Sequence, residues 1–185
     1  VLRNAYIKEE IYKLLNERDG LILGICNGFQ TLIKTGLLPY GNISAQNKDS
    51  ATLAKNGIGR HIAKTAYTKV ISCKSPWLAG AKPGEIYAVP ASHGEGRFIA
   101  SKEILDALFA NGQVACVFTD CFGNASDEGY WNINSSYMGI EGITSPDGRI
   151  FGKMAHAERT YDGICRNTYG NKDMGIFKSG VEYFR

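Results

Sequence analysis

The residue most suited to covalent chemistry in this chain is Cys26, in segment 24–30, GICNGFQ. This segment follows the apolar run 21–23, and a buried strand that turns into a helix through Gly-x-Cys-x-Gly is typical of a nucleophile elbow. Glycine at both flanking positions lets backbone and substrate approach the nucleophile closely. The N-terminus of the following helix would favour thiolate over thiol. The segment predicts cysteine-based acyl transfer; the alternative is a buried structural cysteine at a strand end.

A second pair of residues could supply the proton transfer that such a cysteine needs. His156 and Glu158 lie two positions apart in residues 155–159, AHAER. If this segment is extended, both side chains project to one face, with Cα atoms roughly 6.6 Å apart. Glu158 could then hold one imidazole nitrogen while the other accepts the thiol proton, as in a catalytic triad. Because the chain has only three histidines, we predict that this pair acts with Cys26.

Several secondary-structure elements must position these residues. Apolar spacing and turn residues predict helices through residues 7–15, 27–35 and 101–110 and strands at 21–25, 61–73, 86–89, 114–118, 138–144 and 149–154. The segment 145–148, SPDG, predicts a hairpin between the last two strands. We expect a long surface loop at 39–60, a loop at 92–98 and mostly irregular structure after residue 160. Strands that alternate with helices indicate an α/β fold in one domain.

Composition narrows the functional classes. The chain has 185 residues and a formal net charge of +3, without a basic stripe interleaved with aromatics, so we expect no nucleic-acid partner. No apolar run approaches the roughly 18 residues of a membrane span, so we expect no membrane partner. Five cysteines without a compact framework predict reduced thiols in the cytoplasm. Cys116 and Cys121 have no second pair at zinc-ligand spacing, so we interpret them as structural and predict no metal site.

Four segments together resemble a known family. The motif at 24–30 and His156 with Glu158 resemble class I (triad) glutamine amidotransferases. Segments 93–98, HGEGRF, and 132–136, NINSS, are similar to the branch whose amidotransferase domain serves the ATP-dependent synthetase of formylglycinamidine ribonucleotide. The resemblance covers essentially the whole chain. It implies an α/β fold with an open sheet, flanking helices and a nucleophile elbow, and a glutaminase that supplies ammonia for purine biosynthesis.

The resemblance also implies roles for individual residues. Cys26 would be the nucleophile, His156 the general base and then acid, and Glu158 its orienter. The Asn27 backbone N–H would donate to the oxyanion. Residues expected to bind or shape the glutamine site are Gln30, His93, Arg97, Asn132 and Asn134. For Arg97 the alternative is contact with a partner surface, for His93 a loop histidine held by hydrogen bonds, and for the two asparagines a simple turn.

Cofactors and partners follow from the same resemblance. The implied partner is a synthetase domain of the same polypeptide, and ATP and magnesium would belong to that domain. Segment 148–154 has the wrong spacing for a phosphate-binding loop and lacks its Ser or Thr. We therefore predict no cofactor in residues 1–185.

The elbow strand lies about twenty residues into the chain, whereas in this architecture a loop after an earlier strand usually supplies the second oxyanion donor. We therefore expect that residues 1–185 form a partial amidotransferase domain that lacks N-terminal strands. Alone it would be a weak glutaminase. Ala155 also replaces the Pro or Gly common before the triad histidine. The alternative functions are another cysteine hydrolase, such as a γ-glutamyl hydrolase, and a catalytically silent docking module.

Overall fold

The structure, a computed structural model, describes residues 4–125, 129–161 and 163–185. Its centre is a mixed sheet of six strands in the order β1-β8-β7-β6-β3-β4. Only β1 and β8 in this sheet pair in parallel, while the other neighbours are antiparallel. The bounds are β1 Ile22–Ile25, β2 Thr52–Lys55, β3 Ile62–Val70, β4 Ile86–His93, β5 Glu95–Ile99, β6 Val114–Thr119, β7 Ile140–Thr144 and β8 Ile150–Lys153.

Within the described residues, five α-helices accompany the sheet. They are α1 Ala5–Asn16, α2 Asn27–Thr35, the short α3 Leu37–Tyr40, α4 Lys102–Ala110 and α5 Ile176–Glu182. The predicted ends of α2 and α4 are confirmed, because Gly36 closes α2 in a left-handed conformation and the Ser101 side chain caps α4. None of the helices in the described part of the chain is long and apolar enough to cross a membrane.

Parallel pairing of β1 with β8 positions the candidate site. Ile25 pairs with Lys153. The chain therefore leaves β1 at Cys26 and β8 at Met154, and both positions lie at the same edge of the sheet. Strand β8 lies between β1 and β7 and is fully buried. The hairpin β7–β8 predicted around residues 145–148 is confirmed.

Close packing of α2 on the sheet depends on a glycine in β8. A Cβ atom at Gly152 would lie 2.2 Å from Cδ2 of Phe29, whose side chain is completely buried. Such a contact is too short for any side chain. Gly152 therefore sets how near the helix after Cys26 approaches the strand before His156.

Two expectations about irregular segments are wrong. The expected loop at 39–60 contains β2, which pairs with β5 and buries Leu53 against Phe98. The expected loop at 92–98 is the end of β4 followed by β5, with Gly94 between them. The described residues after 160 are mostly irregular, as expected, but they also include α5, whose Gly180 packs under the ring of Trp77. Each of these elements depends on a distant partner, so local polarity and Gly content mispredict them.

Candidate active site

Cys26 lies on a strained turn between β1 and α2. Its backbone has φ 53° and ψ −106°, a conformation that non-glycine residues rarely adopt. The Cys26 N–H donates to Lys153 O at 2.8 Å, and Gln30 N–H donates to Cys26 O at 3.1 Å. The predicted strand-to-helix turn is confirmed, and these bonds hold it in spite of the strain.

The two glycines that flank Cys26 have different surroundings. A Cβ atom at Gly24 would lie 2.5 Å from Leu32 Cδ1 and 2.8 Å from the Gly28 carbonyl carbon. At Gly28 a Cβ atom would meet no protein atom within 4 Å among the described residues. Gly24 is thus required by packing, whereas Gly28 faces open space beside the cysteine.

The environment of the Cys26 thiol differs from the sequence expectation. Burial raises the pKa of Cys26, and a hydrogen bond from the Asn27 backbone N–H only partly opposes this effect. The Sγ atom lies 3.9 Å from Ser92 O, which can accept the S–H. The helix N-terminus therefore does not by itself make the thiolate the resting form, and the thiol needs a base to remove its proton.

His156 and Glu158 form the predicted pair by a different local geometry. His156 Nδ1 lies 2.5 Å from Glu158 Oε1, and the His156 ring is almost fully buried. Residues Ala157–Arg159 form a 3₁₀ turn, so the expected extended segment is wrong. The turn brings the carboxylate back to the ring.

The second ring nitrogen of His156 is poised as an acceptor. A carboxylate at Nδ1 favours the tautomer in which Nδ1 carries the proton and Nε2 is free to accept one. His156 Nε2 is buried without a hydrogen-bond partner within the described residues. Cys26 follows β1 and His156 follows β8, and these two strands pair in parallel, so the thiol and the imidazole lie beyond the same edge of the sheet. This arrangement can perform base-assisted attack by sulfur.

His93 lies at the end of β4, and its ring is buried. Asn56 Nδ2 donates to His93 O at 2.8 Å. The other side-chain atom, Asn56 Oδ1, therefore accepts from His93 Nδ1, which lies 3.1 Å away. Burial lowers the pKa of His93 to about 4, and His93 Nε2 has no partner within the described part of the chain. The ring is therefore neutral at physiological pH and held by hydrogen bonds. Asn56 was not predicted, because its segment was interpreted as a loop.

Gln30 reaches from α2 across to the β4–β5 segment. Its Nε2 donates to Glu95 O at 2.8 Å. The residue lies one turn after Cys26, and its half-buried side chain bridges the elbow helix and the strand pair. A role in glutamine binding stays a prediction.

Arg97 and Asn134 lie in another network. Arg97 Nε donates to Ser135 O at 2.9 Å, and Asn134 Nδ2 donates to Gly96 O at 2.8 Å. Arg97 lines an open depression of about 1050 Å³ whose described lining includes neither Cys26 nor His156. Asn134 is fully buried and shapes the turn, and Asn132 also bonds within it. Their proposed contacts with glutamine remain untested.

A buried ion pair beneath His156 was missed by the sequence analysis. Lys153 Nζ lies 3.0 Å from Glu141 Oε1, and neither side chain is exposed. Both residues lie in strands of the predicted hairpin, but Lys153 pairs with Gly142, so Glu141 is one residue out of register with it. Cross-strand pairing alone therefore did not predict this contact.

The fold and the site together define a class of protein. The sequence profile of the CobB/CobQ-like glutamine amidotransferase domain matches residues 1–184, and the chain belongs to this family. The resemblance found in the motifs is therefore confirmed.

Curated relatives and a solved structure make the comparison more specific. The chain is 35% identical over 158 residues to phosphoribosylformylglycinamidine synthase subunit PurQ of Chlorobaculum parvum, covering 85% of this chain and 56% of the relative. It is 32% identical over 183 residues to the PurQ subunit of Rhodopseudomonas palustris strain BisB18, covering 99% and 71%. PurLQS from Thermotoga maritima superposes with a TM-score of 0.70 at 27% identity, over 97% of this chain and 68% of that one. The chain thus spans little more than half of the first relative.

Proposed function

We propose that this chain is the glutaminase component of a phosphoribosylformylglycinamidine synthase. It would hydrolyse glutamine to glutamate and deliver ammonia to an ATP-dependent synthetase that makes formylglycinamidine ribonucleotide. The observation that carries the proposal is a thiol on a strained elbow at the end of β1, beside the strand β8 that leads to His156. One ring nitrogen of His156 is buried and free within the described residues, and the other is held by a carboxylate. The names of the relatives support the choice of synthetase.

The proposed reaction begins with proton transfer from Cys26 Sγ to His156 Nε2. The sulfur attacks the side-chain amide carbon of glutamine, and the Asn27 N–H stabilises the negative oxygen of the tetrahedral intermediate. His156 then returns the proton to the departing nitrogen, which leaves as ammonia and leaves a thioester on Cys26. A water molecule, deprotonated by His156, hydrolyses the thioester to glutamate and restores the thiol.

Glu158 would support both proton transfers. Its carboxylate keeps the Nδ1–H tautomer and stabilises the imidazolium once Nε2 is protonated. Because burial raises the pKa of the Cys26 thiol, efficient ionisation of the thiol needs this base. Cys26 should therefore react much more slowly when His156 is absent.

The proposed partner is the synthetase, either as a separate subunit, as the names PurQ and PurLQS suggest, or as a domain of the same polypeptide. ATP and magnesium would bind there. A cytoplasmic location stays a prediction. A catalytically silent docking role is the competing proposal that the next experiment addresses.

The experiment is mass spectrometry after incubation with a diazo-ketone analogue of glutamine, in the presence of the synthetase. We expect one adduct on the wild-type chain and none on Cys26→Ala, because the analogue must fit the glutamine site and meet an activated sulfur. Production of glutamate from glutamine is measured in the same samples. Absence of both the adduct and glutamate with a folded complex would favour the silent docking module.

A further inference from the structure

The buried ion pair of Glu141 and Lys153 lies at the base of the segment that carries His156. Glu141 Oε1 accepts from Ala155 N–H at 2.7 Å, and Lys153 Nζ donates to Ala155 O at 2.8 Å. The two side chains therefore satisfy both backbone polar groups of the residue before His156. Glu141 Oε2 is held in turn by Thr68 Oγ1 at 3.2 Å.

Ala155 needs these partners because the sheet ends just before it. Strand β8 stops at Lys153, and Met154 N–H makes the final bond toward β7 by donating to Glu141 O at 3.0 Å. Ala155 is completely buried, so water cannot replace a missing partner, and an unpaired buried amide is costly. The side chains of the ion pair continue the hydrogen bonding where strands no longer do.

Lys153 is also attached to the nucleophile. Its backbone carbonyl accepts from Cys26 N–H at 2.8 Å, while its side chain holds Ala155. One residue thus connects the turn that carries the sulfur with the turn that carries the imidazole. Since a small displacement between reacting groups lowers rates strongly, this connection bears directly on proton transfer.

We propose that Glu141 and Lys153 are positioning residues that set His156 opposite Cys26 through the backbone of Ala155. The proposal rests on the proposed function only in taking Cys26 as nucleophile and His156 as base. Stability alone does not explain the pair, because apolar side chains of similar volume often replace buried ion pairs without loss. Apolar side chains cannot accept a hydrogen bond from Ala155.

The test measures alkylation of each cysteine by iodoacetamide near neutral pH, followed by peptide mass spectrometry. In this reaction the Cys26 thiol gives its proton to His156, and its sulfur displaces iodide, so glutamine hydrolysis is not required. Three cysteines serve as reporters in the same molecule. Cys26 reports the site, exposed Cys165 reports reagent activity, and fully buried Cys116 reports opening of the core.

Two matched double variants isolate the hydrogen bond to Ala155. Glu141→Leu/Lys153→Met and Glu141→Gln/Lys153→Met both remove the buried charges, but only Gln retains an oxygen that can accept from Ala155 N–H. We expect the Leu variant to label Cys26 at least about tenfold more slowly than wild type, near the rate of His156→Ala. The Gln variant should label Cys26 at least about threefold faster than the Leu variant, since its acceptor remains. The remaining difference between the Gln variant and wild type reports the lost Lys153 side chain.

Equal Cys26 rates in the Gln and Leu variants, with Cys116 protected, would overturn the proposal. If the Leu variant exposes Cys116, Glu141→Met replaces it in the same comparison, because methionine adapts more readily to a packed site. A His156→Ala variant that labels Cys26 at the wild-type rate would instead contradict the proposed catalytic role of His156. The two failures are therefore distinguishable.

Discussion

At the residue scale, Cys26 combines a strained backbone with a thiol that burial keeps protonated. We propose the buried imidazole of His156 as the base that removes its proton. His156 and His93 are fixed in two ways. The Glu158 carboxylate holds Nδ1 of His156, whereas the Asn56 amide holds Nδ1 of His93 and burial keeps that ring neutral.

Strain at Cys26 predicts a difference between two inactive variants. Cys26→Gly should be more stable than Cys26→Ala by about 1 kcal/mol, because glycine adopts the positive φ without a Cβ clash. Urea unfolding of both variants measures the difference, and neither should form glutamate. Equal or reversed stabilities would show that the turn carries little strain.

The neutral state of His93 predicts a pH dependence of folding. Burial lowers the pKa of His93 from its ordinary value of 6.5 to about 4. In the pH window between these two values, the unfolded chain therefore binds a proton at His93 more strongly than the folded chain does. His93 therefore contributes stability above that window, and this contribution is lost as pH falls, by at most about 3 kcal/mol. Urea unfolding across this range should show a steeper loss in wild type than in His93→Gln. Identical slopes would contradict the assignment.

At the element scale, the pairing of β1 with β8 and the docking of α2 determine where the reacting groups meet. Gly152 permits that docking, since any Cβ atom there would overlap Phe29. Gly28 lies in α2 itself, where a Cβ atom would face open space beside Cys26. One glycine therefore serves packing, and the other leaves room for a ligand.

These two glycines predict a separation of stability from activity. Gly152→Ala should destabilise the fold by about 1–3 kcal/mol through overpacking. Gly28→Ala should change stability by no more than about 1 kcal/mol, while it raises KM for glutamine or slows alkylation by the diazo-ketone analogue. Unfolding and glutaminase assays on both variants provide the check. A Gly28→Ala protein with wild-type KM would argue against a substrate position beside that residue.

At the scale of the whole molecule, the sheet separates two apolar clusters, and the candidate site lies where β1 and β8 end. The depression at Arg97 lies apart from that site. In the described residues, the oxyanion donor that we assign is Asn27 N–H. The chain spans little more than half of the length of the first relative.

The proposed partnership with a synthetase predicts a rate difference. Glutamine hydrolysis by residues 1–185 alone should be about 10²-fold slower than by the same residues joined to or bound to the synthetase, because a second oxyanion donor supplied by the longer assembly would contribute about that much. Glutamate formation at saturating glutamine gives both rates. A longer protein no faster than the chain alone would refute the expectation.

Local patterns were enough to predict much of this protein. The elbow around Cys26, helices α2 and α4, the hairpin β7–β8 and the pairing of His156 with Glu158 depend on residues close in sequence. Glycine stops, a serine cap and a Pro-Asp-Gly turn act within a few residues, so their physics is visible in the chain itself. The family followed from the same motifs.

Only the tertiary structure decided the features that join distant segments. Strand β2 exists because β5 lies beside it, and burial outweighs the helix terminus in setting the pKa of Cys26. The hydrogen bonds that Glu141 and Lys153 make to Ala155 arise where the strand pairing ends. Burial and partner choice depend on residues far apart in sequence, so composition and spacing alone do not determine them.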